Sequence, residues 1–210
     1  MSIKLILADS HKLFLDTLGH FLEIQKDINV VGMATDGLDV LKLVESLKPD
    51  VVVMDVGMPG MNGIEVTRRL FAHHPEIKVI VMSALANNHV LELLEAGVSA
   101  YIVKENDISE LLCALYEVIK GKKHLCHEAI EAAVNYSGKS HHENFKEVSS
   151  REREVLQLLA EGGTSALIAK RMSISTATVD VHRRNIMKKL DLHSIAELTK
   201  YAVRHGLTAI

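Results

Sequence analysis

The sequence predicts an α/β protein, a five-stranded, doubly wound parallel sheet followed by a smaller all-α domain. Over the first 120 residues short β-branched runs alternate with longer amphipathic stretches, the order of a parallel sheet with helices on both faces. From Val148 onward no strand pattern remains, and the apolar residues keep helical spacing to the end. The charge changes as well. Up to residue 135 there are 12 Lys/Arg against 19 Asp/Glu, and beyond it 12 against 8, so the net charge of −3 conceals an acidic part and a basic one. A basic part suits a polyanionic partner.

Strands are expected at Lys4 to Ala8, Val30 to Ala34, Val51 to Asp55, Lys78 to Met82 and Ala100 to Val103. The unbroken Val51-Val52-Val53-Met54 run suits a strand covered on both faces. The first helix begins near His11 and sets Phe14, Leu15, Leu18, Phe21 and Leu22 on one stripe. Gly97 stands where a left-handed helix end is needed, and a fifth helix runs from Asp107 to Ile119 and stops before Gly121. Residues 1–122 form this first domain. Residues 123–147 read as a linker with a short helix at Glu128 to Val134 and a polar, turn-rich stretch from Ser137 to His142.

The second domain covers residues 148–210. Ser149 and Glu152 fit a capping box, Val155, Leu156, Leu158 and Leu159 form the apolar side, and Gly162-Gly163 ends the helix. Ser165 to Met172 makes a second helix, Ser173-Ile174-Ser175 a tight turn, and Ser175 caps a third helix running to Leu190, so the pair reads as a helix-turn-helix. On the third helix Val179, Ile186 and Leu190 fall on one side and Asp180, Arg184 and Lys188 on another. The last helix, Ile195 to His205, carries Ile195, Leu198, Ala202 and Val203 on an apolar side.

Composition limits the function classes. With 48% hydrophobic and 24% charged residues the chain is an ordinary globular protein, which excludes disordered and fibrous classes. No apolar run reaches the roughly 18 residues of a membrane span, and the N-terminus lacks a signal-peptide layout, so a cytoplasmic location without membrane contact is expected. Cys113 and Cys126 are too few for a disulfide framework or a four-cysteine zinc site. Cys113 sits among leucines, as a small buried hydrophobe does. His124-Leu125-Cys126-His127 and His141-His142 match no established zinc spacing.

Ligands of a parallel α/β sheet sit at the carboxyl ends of its strands. There the chain places Asp9, Asp55, Ser83 and Lys104. A carboxylate nucleophile, a hydroxyl and an ammonium, with a hard cation to neutralise charge, are the parts of phosphoryl transfer. No second nucleophile-and-base arrangement and no glycine-rich nucleotide loop accompanies them, so an enzyme acting on an external substrate is not expected.

Asp55-Val56-Gly57-Met58-Pro59-Gly60-Met61-Asn62-Gly63, with Ala8-Asp9-Ser10-His11, Met82-Ser83-Ala84 and Tyr101-Ile102-Val103-Lys104, resembles the receiver domains of bacterial response regulators. The resemblance implies that Asp55 is the phosphoacceptor, that Lys104 pairs with the phosphate and that Ser83 hydrogen-bonds it. It makes Tyr101 a switch aromatic, with plain strand packing as the other reading. It places Mg²⁺ on Asp9, Asp55 and the Gly57 carbonyl. Receivers usually carry two adjacent acids after the first strand; here the second is Ser10, a neutral metal neighbour that weakens cation binding.

Val148 to Leu156, Ile168 to Met172 and Thr178-Val179-Asp180-Val181-His182-Arg183 resemble LuxR-type helix-turn-helix domains, as far as Gly206. With the receiver, the chain resembles NarL/FixJ-family response regulators. That implies a transcription factor controlled by a sensor histidine kinase and active as a homodimer on double-stranded DNA. Thr178, Asp180, Val181, Arg183, Arg184 and Lys188 are then the DNA-binding candidates, and Ile195, Leu198 and Ala202 are dimerisation candidates unless they pack within the domain. The family usually has Lys at Asp180 and Asn-Lys-Glu at Ser165-Ala166-Leu167, so Asp180 repels phosphates, reads cytosine or pairs with Arg184. The alternative function is an atypical, phosphorylation-independent regulator acting through protein partners with weakened DNA binding.

Overall fold

The structure, a computed structural model, describes residues 2–84, 89–136, 148–205 and 207–208. The chain forms two compact units, Met1–Gly138 and Lys139–Ile210. Among the described residues no helix is long and apolar enough to cross a membrane.

The first unit is built on a parallel sheet of β1 (Ile3–Ala8), β2 (Ile28–Ala34), β3 (Val51–Asp55), β4 (Lys78–Ser83), β5 (Ala100–Val103) and β6 (His124–Leu125), in the spatial order β2-β1-β3-β4-β5-β6. Side chains of a strand alternate between faces, and the core divides accordingly. Leu5, Leu7, Val51, Val53, Ile80 and Ile102 join α1 (Lys12–Glu23) and α5 (Ile108–Ile119) on one face. Ile6, Val52, Met54, Val79, Val81 and Tyr101 join α2 (Gly37–Leu47), α3 (Gly63–His73), α4 (His89–Ala96) and α6 (His127–Tyr136) on the other. All five residues of β3 are buried, as a central strand covered on both faces requires.

The first unit departs from two expectations. The sheet has six strands, not five, and the segment read as a linker from residue 123 instead extends the first unit through β6 and α6. Two residues without a β-branched side chain carry no periodic signal; the strand exists because His124 N–H donates to the Ser99 carbonyl (3.1 Å) and Cys126 N–H to that of Tyr101 (3.0 Å). A Schellman motif turns the chain back after α5. Gly121 adopts φ +78°, Lys122 N–H reaches the Glu117 carbonyl (3.0 Å) and Gly121 N–H that of Val118 (2.9 Å). The remaining linker residues, 137–147, His141 and His142 among them, lie outside the described residues, as does Gly206.

The second unit comprises α7 (Ser150–Ala160), α8 (Ser165–Met172), α9 (Thr176–Leu190) and α10 (Ile195–Arg204). Both halves of the Ser149/Glu152 capping box are made, and a second box joins Ser194 to Glu197. Gly163 lets the α7–α8 turn pass close to its helix, since a Cβ there would stand 2.7 Å from the Leu158 carbonyl oxygen. Val155, Leu156, Ile168, Val179, Ile186, Leu190, Leu198 and Ala202 share one core. The structure departs from the expected dimerisation surface. Leu198 and Ala202 are fully buried within their own unit, where α10 packs on α7, and of the three only Ile195 is exposed.

Candidate functional site

Strand register assembles the first site. Ala8 pairs with Met54, Asp55 with Met82 and Ser83 with Val103, so the strand ends place Asp9, Asp55, Ser83 and Lys104 along one edge. Lys104 Nζ donates to Asp9 Oδ2 at 2.6 Å and lies 3.0 Å from Asp55 Oδ1, so one ammonium bridges both carboxylates. Asp9 is fully buried, while Asp55 and Ser83 are each 8% exposed, at the rim. The other oxygen of Asp9 accepts the His11 backbone N–H (2.8 Å) and lies 3.0 Å from His11 Nδ1.

The loop after β3 is shaped around Asp55. Gly63 N–H donates to the Val56 carbonyl (2.8 Å), Asn62 caps α3, and a Cβ at Gly63 would stand 2.6 Å from the Asp55 carbonyl oxygen. Gly57 is exposed, and a Cβ there would lie 3.4 Å from Asp55 Oδ2, so backbone passes the carboxylate with no side chain between them. Asp9, Asp55 and the Gly57 carbonyl are all hard oxygen donors, a set that fits Mg²⁺. Ser10 is exposed, and its Oγ lies 3.3 Å from His11 Nδ1. Tyr101 is fully buried in the core on the α3–α4 face.

Two members of this corner escaped the sequence reading. His11 holds Asp9 through its backbone and ring, and the Phe14 ring lies 5.2 Å from Lys104 Nζ, a cation–π distance. Phe14 looked like one more member of an apolar stripe. Its separation from Lys104 along the chain left no local signal.

The second candidate site is the outer side of α9. Val179, Ile186 and Leu190 face the core, and Thr178, Val181, Arg184, Asn185 and Lys188 are exposed. Val181, Arg184, Asn185 and Lys188 stand at i, i+3, i+4 and i+7 and form one stripe. Asn185 was overlooked, although its spacing from Val181 marks it; amide side chains suit adenine edges. Arg183 is half-buried at the flank. Asp180 does not pair with Arg184. It accepts Ser165 Oγ (3.0 Å) and lies 3.5 Å from Arg183, which ties α8 to α9. The two departures from the family pattern, at Ser165 and Asp180, thus meet in one contact.

Beneath that surface Glu152 accepts Lys189 Nζ (2.7 Å) and the Ser149 N–H (2.8 Å). Burial raises its carboxyl, but these partners outweigh burial and hold it below the usual carboxylate range.

Comparison with known proteins matches residues 5–116 to the response regulator receiver domain and residues 146–202 to the bacterial regulatory proteins of the luxR family. The chain is 33% identical to the response regulator GacA of Pseudomonas aeruginosa, covering 98% of this chain and 97% of that one. It is 34% identical to the transcriptional regulatory protein LiaR of Bacillus subtilis, over 98% and 99%. Among solved structures it is similar to RcsB from Salmonella enterica serovar Typhimurium bound to promoter rprA in the presence of phosphomimetic BeF3-, at TM-score 0.63 and 25% identity, over 96% of this chain and 98% of that one.

Proposed function

The chain belongs to the NarL/FixJ-family response regulators, which join a receiver to a LuxR-type DNA-binding domain, and from that premise we propose that phosphorylation of Asp55 sets its output. It is a DNA-binding transcription regulator of the two-component type. The observation that carries the proposal is the convergence of Asp9, Asp55 and Lys104 within 3.0 Å at one sheet edge.

In this reading an Asp55 carboxylate oxygen attacks the phosphorus of a phosphohistidine on a sensor histidine kinase. The P–O bond forms as the P–N bond breaks, and the leaving imidazole takes up a proton. Lys104, already within 3.0 Å of Asp55, pairs with a phosphoryl oxygen, and the Ser83 hydroxyl binds another. Asp9, Asp55 and the Gly57 carbonyl would hold Mg²⁺, which supplies charge neutralisation at the phosphoryl group, with Ser10 lowering affinity for it. The protein accepts and hydrolyses only its own aspartyl phosphate.

Arg184, Asn185, Lys188, Thr178 and Val181 enter the major groove, with Arg183 and Asp180 at the flank. The active form is a cytoplasmic homodimer on double-stranded DNA, and Ile195 is a large exposed apolar residue of α10 available to the second copy.

Intact mass after incubation with a small-molecule phosphodonor tests the proposal. The expected result is a Mg²⁺-dependent phosphate adduct that is absent in Asp55→Asn. A folded wild-type protein that takes up no phosphate would overturn it and favour the phosphorylation-independent reading, for which Ser10 is the motivating residue.

A further inference from the structure

Away from the phosphoryl site, α5 and β6 bring together donors that sequence spacing had kept apart. Cys113 and Glu117 lie at i and i+4 on α5, and His124 returns to them through the Schellman turn at Gly121. One ligand atom from each of Cys113, Glu117 and His124 lies within 4.8 Å of the other two. We propose that these three side chains bind a divalent transition metal of the zinc class, independently of phosphorylation at Asp55.

The donor chemistry selects the metal. A thiolate, an imidazole and a carboxylate form a mixed S/N/O set that favours Zn²⁺ over the hard Mg²⁺ expected at Asp55. Tetrahedral zinc, with bonds of about 2.0 to 2.3 Å, needs its ligands about 3.3 to 3.8 Å apart. Side-chain adjustment of about 1 Å closes the set, and the outer position of the site opens to water. Cys113 is exposed rather than buried as its leucine neighbours suggested, so the thiol is reachable. Cys126, the cysteine beside His124 in the sequence, is buried and takes no part.

The imidazole is also oriented as a metal ligand should be. His124 Nδ1 lies 2.8 Å from Glu117 Oε2, on the side of the proposed ion, and Nε2 lies 3.3 Å from Glu110 Oε1. Metal-bound histidines hand their second ring N–H to a carboxylate, and Glu110 occupies that place. Asn106 Nδ2 in turn donates to the other oxygen of Glu110 at 2.5 Å. The backbone of His124 is fixed by its ladder bond to Ser99, so all four participants stand on paired or helical backbone. Zinc takes cysteine as the thiolate, so binding releases a proton and affinity rises with pH. The bound ion fastens the end of α5 to β6, the strand that leads into α6.

Cobalt(II) titration of the full-length, chelator-treated protein tests the proposal, because a thiolate ligand gives a charge-transfer band and tetrahedral geometry gives intense visible bands. With Mg²⁺ present to occupy the Asp55 site, one equivalent should bind with both signatures and be displaced by Zn²⁺ but not by further Mg²⁺. Cys113→Ser should lose the charge-transfer band, His124→Gln should weaken binding by at least about 100-fold, and Glu110→Gln by about 10- to 100-fold. Cys126→Ser should titrate as the wild type does. Circular dichroism confirms that each variant is folded. Absence of the charge-transfer band in the wild type, or its persistence in folded Cys113→Ser, would overturn the site.

Discussion

The first unit buries Asn62, Glu65 and Thr67 at and along α3, and Asp9, Asp55 and Ser83 at strand ends, where Lys104 bridges the two carboxylates and His11 holds Asp9. The second unit buries Glu152, Glu154 and Gln157 along a single helix, where each is tied to its own unit: Glu152 to Lys189, Glu154 to Arg151, Gln157 to Glu161. Polar burial at the receiver's strand ends concentrates like charge at a reactive point. In the helical unit it braces α7 and, through Glu152 and Lys189, ties α7 to α9, and it leaves the exposed stripe of α9 to do the binding. Removing Asp55 should therefore abolish chemistry in the receiver, and removing Glu152 should cost stability in the helical unit.

The all-or-none loss of phosphate adduct in Asp55→Asn, with little change in thermal stability, is the first arm of that contrast. Glu152→Gln is the second. It removes the charge opposite Lys189 and weakens the capping box, at a cost of about 2 kcal/mol. For a helical unit this small the thermal midpoint should fall by about 10 °C, read by circular dichroism, while phosphate uptake by the receiver is preserved. Its pH dependence follows from the lowered carboxyl. The stabilisation is complete above the ordinary glutamate value of 4.5 and fades as pH falls below it, so wild type and Glu152→Gln should converge in acid. Glu92 in the receiver behaves likewise. Burial would raise it, but His89 and Arg68 outweigh burial and hold it at about 2, so the α3–α4 link loosens between pH 4.5 and about 2.

How much of this was legible depends on whether the signal was local. Val51 to Asp55 announced a central strand, and the strand-end rule located Asp9, Asp55, Ser83 and Lys104 without knowledge of the sheet order. Ser149/Glu152 and the Ser173 turn, whose φ is +55°, are local as well. Contacts made by chain return were not legible. His124-Leu125 becomes a strand only because Ser99 and Tyr101 offer carbonyls, Cys113 is exposed because of which side of α5 the sheet covers, and Asp180 finds Ser165 on another helix rather than Arg184 on its own. Leu198 and Ala202 show the same limit, since an amphipathic stripe does not say whether its own domain or a second copy covers it.

Arg184→Ala sharpens the contrast from the surface side. Arg184 is exposed at the centre of the α9 stripe, so its loss should leave the thermal midpoint within about 2 °C, as surface changes do. Affinity for a random-sequence duplex, measured by fluorescence anisotropy, should fall about tenfold at low salt, and the salt slope should become shallower by about one. A stability loss comparable to that of Glu152→Gln would erase the proposed division of labour. Ser10→Asp addresses the receiver's weak point. A second acid beside Asp9 adds charge to the cation site and should tighten Mg²⁺ binding by about tenfold, followed by NMR shifts; equal affinities would remove Ser10 from the account.

Asp180→Lys is expected to have the smallest effect, and the reason lies in where the structure puts the acid. Asp180 is half-buried at the flank of α9 and engaged by Ser165 and Arg183, so it presents less charge to a phosphate than its sequence position suggests. The substitution acts in two opposing ways. It adds a cation that can reach the backbone, steepening the salt dependence by about one, and it breaks the Ser165 contact that ties α8 to α9, at about 1 kcal/mol. The net gain should be only a few-fold at low salt. Asp180→Asn separates the two terms, because the amide keeps an acceptor for Ser165 without adding a cation. If Asp180→Asn binds DNA as tightly as Asp180→Lys, removal of repulsion is the whole effect; if it binds like the wild type, the added phosphate contact is.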